Sequence, residues 1–176
     1  MPALAIIGSA RPGGHTAELL GRLTRGTGCA VVDLSATPIE SFHYGATPPR
    51  DSFVTIVEQM VAADLTVFAT PVYWFSYAAV MKNFIDRFSE LLVDHQDLVE
   101  ALRGRDFALL SCGANPDPEP ALELAFDKFC AFFGARCLAK AYARRTDEFY
   151  DRAAADRIRE RLLAAGAVAA VKSAQE

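Results

Sequence analysis

The sequence predicts an α/β fold in one domain over residues 1–176, a parallel sheet with helices on both faces. Three observations point there. Short apolar runs alternate five times with segments of helical periodicity. The runs are continuous and do not alternate polar with apolar, as expected of strands covered on both faces. Apolar residues form 52% of the 176, enough to fill the space under two helical layers.

Taken in order, "ALAIIG" (3–8) is the first strand, and a helix follows over about 16–25. "CAVVDL" (29–34) is the second strand, followed by a long loop over 35–50 that carries several prolines. A helix over about 52–63 puts Phe53, Ile56, Val57, Met60 and Val61 on one face. "LTVFAT" (65–70) is the third strand. The next helix, about 77–92 with Ser76 as its cap, spaces Val80, Met81, Phe84, Phe88 and Leu91 helically. "DFALLSC" (106–112) is the fourth strand. Asp117 then caps a helix that has Pro118 at its first position and runs to Phe133, where Gly134 ends it. Within it Phe126, Phe129 and Phe133 read as core, with Phe132 on the outer side. "RCLAKAYA" (136–143) is the fifth strand, and a last helix begins near Thr146 or Asp147. Five such units suggest a flavodoxin-like three-layer sandwich with strand order 2-1-3-4-5. Its ligand belongs at the carboxyl ends of the strands.

Composition excludes several classes. The net charge of −4 argues against nonspecific nucleic-acid binding. No apolar run approaches the roughly 18 residues of a membrane span, and "MPALAIIG" lacks the basic start of a signal peptide. Cys29, Cys112, Cys130 and Cys137 are scattered, which fits neither a usual metal site nor a disulfide framework and suggests a reducing, cytoplasmic setting.

Chemistry concentrates in two loops. The first, "SARPGGHT" (9–16), joins a strand to a helix whose opening N–H groups form an anion site. Ser9 and Thr16 add hydroxyls, Arg11 adds a guanidinium fork, and Gly13 and Gly14 let the backbone curl. A phosphate monoester is the natural guest. A Walker loop would need lysine where His15 stands. A dinucleotide site remains open: Ala10 replaces the glycine at pyrophosphate, but Asp33 sits where a ribose would be held. So does a plain tight turn with no ligand. The second loop, "PVYWF" (71–75), places a proline and three aromatics at the end of the third strand, suited to a flat, partly apolar group. Lys82, Asp86 and Arg87 then read as a solvated helix face.

The combination of S-x-R-x-x-G-x-T (Ser9, Arg11, Gly14, Thr16) with Pro71-Val72-Tyr73 and then Lys82, Asp86 and Arg87 resembles the NAD(P)H-dependent FMN reductases and flavodoxin-like quinone reductases. The resemblance implies that Ser9, Arg11, Gly14, His15 and Thr16 hold the FMN phosphate. It assigns Pro71, Val72, Tyr73, Trp74 and Phe75 to the ribityl chain and ring edge, with Tyr73 and Trp74 shaping the acceptor site. A third loop, "SCGANPDP" (111–118), offers Gly113, Ala114 and Asn115 to the ring. The implied protein is a flavoprotein oxidoreductase that passes hydride from NADPH or NADH through FMN to free flavin, a quinone or a similar small acceptor. It implies no metal, no nucleic acid and no membrane, and a homodimer or homotetramer with helix 77–92 at its contacts. A carrier of flavodoxin type and an NAD(P)-binding module without flavin are the alternatives. Cys112 reads as a small buried hydrophobe, with a place near the ligand as the alternative. His43 and Tyr44 read as a solvated loop, and Tyr142, Arg144 and Arg145 follow the fifth strand, where a basic patch meeting a nicotinamide phosphate is the disfavoured reading.

Overall fold

The computed structural model describes residues 3–37, 39–45, 49–144 and 149–173, with side chains described to residue 167. Six strands, β1 (Leu4–Ile7), β2 (Ala30–Asp33), β3 (Leu65–Tyr73), β4 (Ser76–Tyr77), β5 (Asp106–Gly113) and β6 (Arg136–Arg144), form the sheet. Its order is β2-β1-β3-β5-β6 with all neighbours parallel, and β4 folds back antiparallel on the end of β3. The expected order 2-1-3-4-5 therefore holds for the five parallel strands, and β4 is an addition. The helices are α1 (His15–Thr24), α2 (Phe53–Ala62), α3 (Ala79–Asp86), α4 (Phe88–Asp94), α5 (Gln96–Ala101), α6 (Pro120–Phe132) and α7 (Arg152–Ser173).

The two faces of the sheet differ because successive residues of a strand point to opposite sides. Leu4, Ile6, Phe68, Phe107 and Leu109 face α2, α3, α4 and α6. There the rings of Phe53, Phe84, Phe88, Phe129 and Phe133 meet edge-on or tilted, with Phe88 and Phe129 5.0 Å apart. Phe132 points outward at 63% exposure. The opposite face carries Ala3, Ala5, Ala69, Ala108, Ala141 and Ala143 against α1 and α7. Small side chains make this layer thin. Arg159 of α7 reaches across it and donates to the carbonyls of Arg22, Leu23 and Arg25 at the end of α1. Those carbonyls carry the negative end of the α1 dipole and lack helical partners.

Several boundaries move, each for a local reason. The single helix expected over 77–92 is broken. Tyr77 belongs to β4, Ala78 occupies the cap position in place of Ser76, and α3 and α4 meet at Arg87. Arg87 is not on a solvated face. It is fully buried and donates through Nε to Glu90 Oε2 at 3.0 Å, and through Nη1 to Asp51 Oδ2 at 2.6 Å and to the Glu40 carbonyl at 3.0 Å. Its guanidinium also lies 4.8 Å from the centre of the Phe53 ring. Lys82 and Asp86 do form the exposed pair expected of them. The cap of α6 is Glu119, accepting from the Ala121 amide at 3.0 Å, with Pro120 as the first helical residue. The repeated acid-proline pairs of "DPEP" allow either position, and the chain uses the second. Gly134 ends α6 region with φ +64, as expected. The last helix starts at Arg152, because the Tyr150 amide still donates to the Tyr142 carbonyl of β6 and Asp151 accepts from the Ala154 amide. Arg145, Thr146 and Asp147 lie outside the described residues.

Candidate functional site

β1 ends where Gly8 donates to the Ala69 carbonyl of β3 at 2.9 Å. A side chain at Gly8 would collide with Met81 of α3, whose Cβ lies 2.6 Å from the place a Cβ would take. Glycine here lets α3 press against the start of the first loop. Within the loop the Ser9 hydroxyl accepts from the Arg11 amide at 3.2 Å, and the Gly14 amide donates to the Arg11 carbonyl at 3.2 Å. Gly13 takes φ +65, which turns the chain into α1. Gly14 is the cap residue and has no side chain to offer the first turn. The start of α1 therefore has no side-chain capping oxygen, and its residues Gly14, His15 and Thr16 line the cleft with the positive end of the helix dipole behind them. Thr16 is buried, its Oγ1 3.0 Å from the Cys112 Sγ of β5, which ties the loop to the sheet centre.

The second wall is a hairpin. β3 runs on through Pro71 and Val72 to Tyr73, which pairs with Ser76 across a two-residue turn. Thr70 braces the turn from below, accepting from the Ala78 amide at 3.1 Å. Trp74 and Phe75 both take positive φ, 48° and 63°. That is the left-handed pair a tight hairpin turn requires, usually supplied by Asn-Gly. Trp74 is 92% exposed and Tyr73 46%.

The third wall is the end of β5. A side chain at Gly113 would press on the Tyr142 hydroxyl, 2.9 Å from the place a Cβ would take. That hydroxyl donates to the Asn115 carbonyl at 2.7 Å and fixes the loop. Burial pushes the Tyr142 phenol above its usual range and keeps it a donor. Tyr142 is thus a buried loop anchor and not part of a surface basic patch.

These walls enclose a cleft of about 470 Å3, within the usual range of small-molecule sites. Ser9, Arg11, Gly14, His15 and Thr16 line one end, and Pro71, Val72, Tyr73 and Trp74 line the other. Gly113 and Ala114 close it from the third side. Phe75 and Asn115 instead line an adjoining cleft of about 210 Å3 that shares Val72, Trp74, Gly113 and Ala114. Cys112, which sequence reasoning left between core and ligand, is both buried and part of the lining. Asp33 lines neither cleft and spends Oδ1 on the amide and hydroxyl of Ser35, so nothing here supports a dinucleotide ribose at that carboxylate. No cluster of three or more metal-ligating side chains occurs among the described residues, and no described helix is long and apolar enough to cross a membrane.

The model of the NADPH-dependent FMN reductase family matches residues 1–143. The chain belongs to that family. Among individual relatives, the Bacillus subtilis protein YwqN, provisionally named an NAD(P)H-dependent FMN-containing oxidoreductase, is 32% identical over 100 residues, 53% of this chain and 55% of its own. An FMN-dependent NADPH-azoreductase of Staphylococcus haemolyticus is 34% identical over 96 residues, 49% of this chain and 51% of its own. The chain thus spans about half the length of these relatives. Among solved structures, the Trp repressor binding protein of Bacillus subtilis superposes with TM-score 0.69 at 22% identity, covering 90% of this chain and 96% of that one. An FMN-dependent NADH-azoreductase of Bacillus anthracis, solved in complex with FMN, gives 0.63 at 12% identity over 95% and 99%. At these identities the two structures establish the flavodoxin-like fold alone.

Proposed function

We propose that this FMN reductase family member holds FMN in the 470 Å3 cleft and transfers hydride from NADPH or NADH to a small acceptor such as free flavin or a quinone. The observation that carries the reading is the uncapped start of α1, wrapped by Ser9, Arg11 and Thr16 and opening onto the aromatic hairpin. A dianion fits the first end and a flat ring the second. Bound FMN would supply the two-electron chemistry. The chain's own work is to bind and orient. Amides of the first α1 turn and the Ser9 and Thr16 hydroxyls take phosphate oxygens, and Arg11 at the rim adds a fixed charge. Pro71 and Val72 would flank the ribityl chain, Gly113 and Ala114 the ring edge, and Phe75 and Asn115 its outer margin. Tyr73 and Trp74 would wall the space that the nicotinamide and the acceptor share in turn. The homodimer or homotetramer and the cytoplasmic location stand as parts of this proposal. Exposed Leu92 and Val93 on α4 support self-association.

Titration of the purified protein with FMN, followed by its visible spectrum, tests the first half. Stopped-flow bleaching by NADPH and by NADH, then reoxidation by a quinone, tests the second. Absence of FMN binding would refute the site. Binding with negligible NAD(P)H oxidation would leave an electron carrier.

A further inference from the structure

The four cysteines are scattered in sequence, yet folding brings two of them together on the side of β6 away from the flavin cleft walls. Cys130 lies in the last turns of α6, and Cys137 is the second residue of edge strand β6. The turn at Gly134, with the Ala135 amide donating to the Cys130 carbonyl at 2.9 Å, folds one element back on the other. Both thiols are free. Cys137 pairs with Phe107 across the sheet and so faces the α6 layer that holds Cys130, and the two thiols influence each other's ionisation.

Their surroundings are unequal. Cys130 is 2% exposed and packs in the phenylalanine-rich layer. Cys137 is exposed and opens on a cleft it shares with Asp127 and Lys140. Lys140 Nζ lies 2.6 Å from Asp127 Oδ2 and 3.8 Å from Glu123 Oε2, which fixes a charged cluster in the cleft that Cys137 lines. The neighbouring Cys130 thiol draws the Cys137 thiol below its usual range, against burial and Asp127, with Lys140 assisting. Cys137 and burial together push Cys130 up. An exposed sulfur facing a buried second thiol is the arrangement of an attacking and a resolving cysteine.

We propose that Cys137 and Cys130 form a redox modification site, a dithiol that hydrogen peroxide converts to an intramolecular disulfide. The Cys137 thiolate attacks one peroxide oxygen. The O–O bond breaks, the departing hydroxide takes a proton to become water, and Cys137 is left as sulfenic acid. The Cys130 sulfur then attacks the Cys137 sulfur and gives up its proton. The S–O bond breaks and a second water leaves. Two thiols lose two electrons, and one peroxide is reduced to two waters. The site needs no flavin and stands independently of the function proposed above.

Mass spectrometry of the full-length protein tests it. The reduced, FMN-supplemented chain is exposed to hydrogen peroxide, alkylated and digested with trypsin. Cleavage after Arg136 separates peptide 129–136, with Cys130, from peptide 137–140, with Cys137. The expected product is these two peptides linked by a bond that dithiothreitol breaks, with Cys29 and Cys112 alkylated as in the untreated protein. In Cys130→Ser, Cys137 should accumulate as sulfenic and then sulfinic acid. In Cys137→Ser, a change at an exposed position that spares the core, Cys130 should resist peroxide. The proposal is overturned if excess peroxide leaves both thiols alkylatable. It is equally overturned if Cys137 links to a second copy of itself, or if Cys130 oxidises unchanged in Cys137→Ser.

Discussion

The two ends of the cleft are built on opposite principles. At the first loop, glycine supplies the shape: Gly8 admits α3, Gly13 takes the left-handed turn, and Gly14 leaves the helix start uncapped. At the hairpin the turn carries the two bulky residues Trp74 and Phe75 in the same left-handed region. One wall is relaxed backbone presenting donors. The other is strained backbone presenting aromatic surface, braced from below by the Thr70 hydroxyl on the Ala78 amide. The comparison teaches that the first loop depends on local chain chemistry, whereas the hairpin depends on tertiary support.

The support can be broken directly. α3 follows the hairpin and ends on Arg87, whose guanidinium joins Asp51 and Glu90 beneath the 35–50 loop. Arg87→Ala would leave the buried Glu90 and the half-buried Asp51 carboxylates without their cation, at a cost of about 3–5 kcal/mol. Urea denaturation should show that loss, and a loss under about 1 kcal/mol would contradict the role given to this cluster. The same cluster sets an acid limit. Burial opposes the charge on Asp51, but the Phe53 amide, the Arg87 guanidinium and the Glu40 amide more than offset it and hold its carboxyl below the usual range. A lowered folded pKa gives stability that is present above the unfolded value of about 3.9 and is lost as pH falls through the lower folded one. Asp51→Asn should therefore flatten the acid limb of a stability-pH profile between those two values.

The anion end should respond in affinity and leave stability nearly unchanged. Arg11 is exposed, and Arg11→Ala should cost about 1.5–3 kcal/mol of FMN binding, roughly tenfold or more. Its melting temperature without FMN should match the parent. An unchanged flavin isotherm would remove Arg11 from the phosphate site, and a large drop in melting temperature would make the first loop as dependent on tertiary support as the hairpin.

This asymmetry also explains what could be read from the sequence. The shape of the first loop was legible because its glycines, hydroxyls and arginine act where they stand in the chain. The five parallel strands were legible from unbroken apolar runs. The hairpin was not, since Trp-Phe is no turn signal and nothing local announces that β3 continues through Pro71 to fold back as β4. Arg87 was misplaced for a related reason. Its neighbours Lys82 and Asp86 form an exposed i, i+4 pair, but one residue further lies about 100° around a helix, and the α3–α4 junction turns that position inward. Contacts that long-range folding makes, such as Arg87 with Asp51 or Cys112 with Thr16, leave no periodic trace.

The smallest effect has the most informative sign. A non-glycine residue in the left-handed region costs about 1–3 kcal/mol, and Trp74 and Phe75 are mostly exposed, so burial returns little of it. The double change Trp74→Asn with Phe75→Gly supplies the sequence that such a turn prefers. It should raise stability by about 1–2 kcal/mol, measured by thermal or urea unfolding without ligand. It should also weaken turnover of a quinone acceptor while leaving the FMN phosphate contacts intact, because the aromatic wall is gone and the first loop is untouched. A gain in stability with a loss of turnover would mean that the strain persists for the surface it displays. A loss in stability would show that Trp74 and Phe75 contribute more by packing than their backbone geometry costs, and the contrast between the two walls would have to be withdrawn.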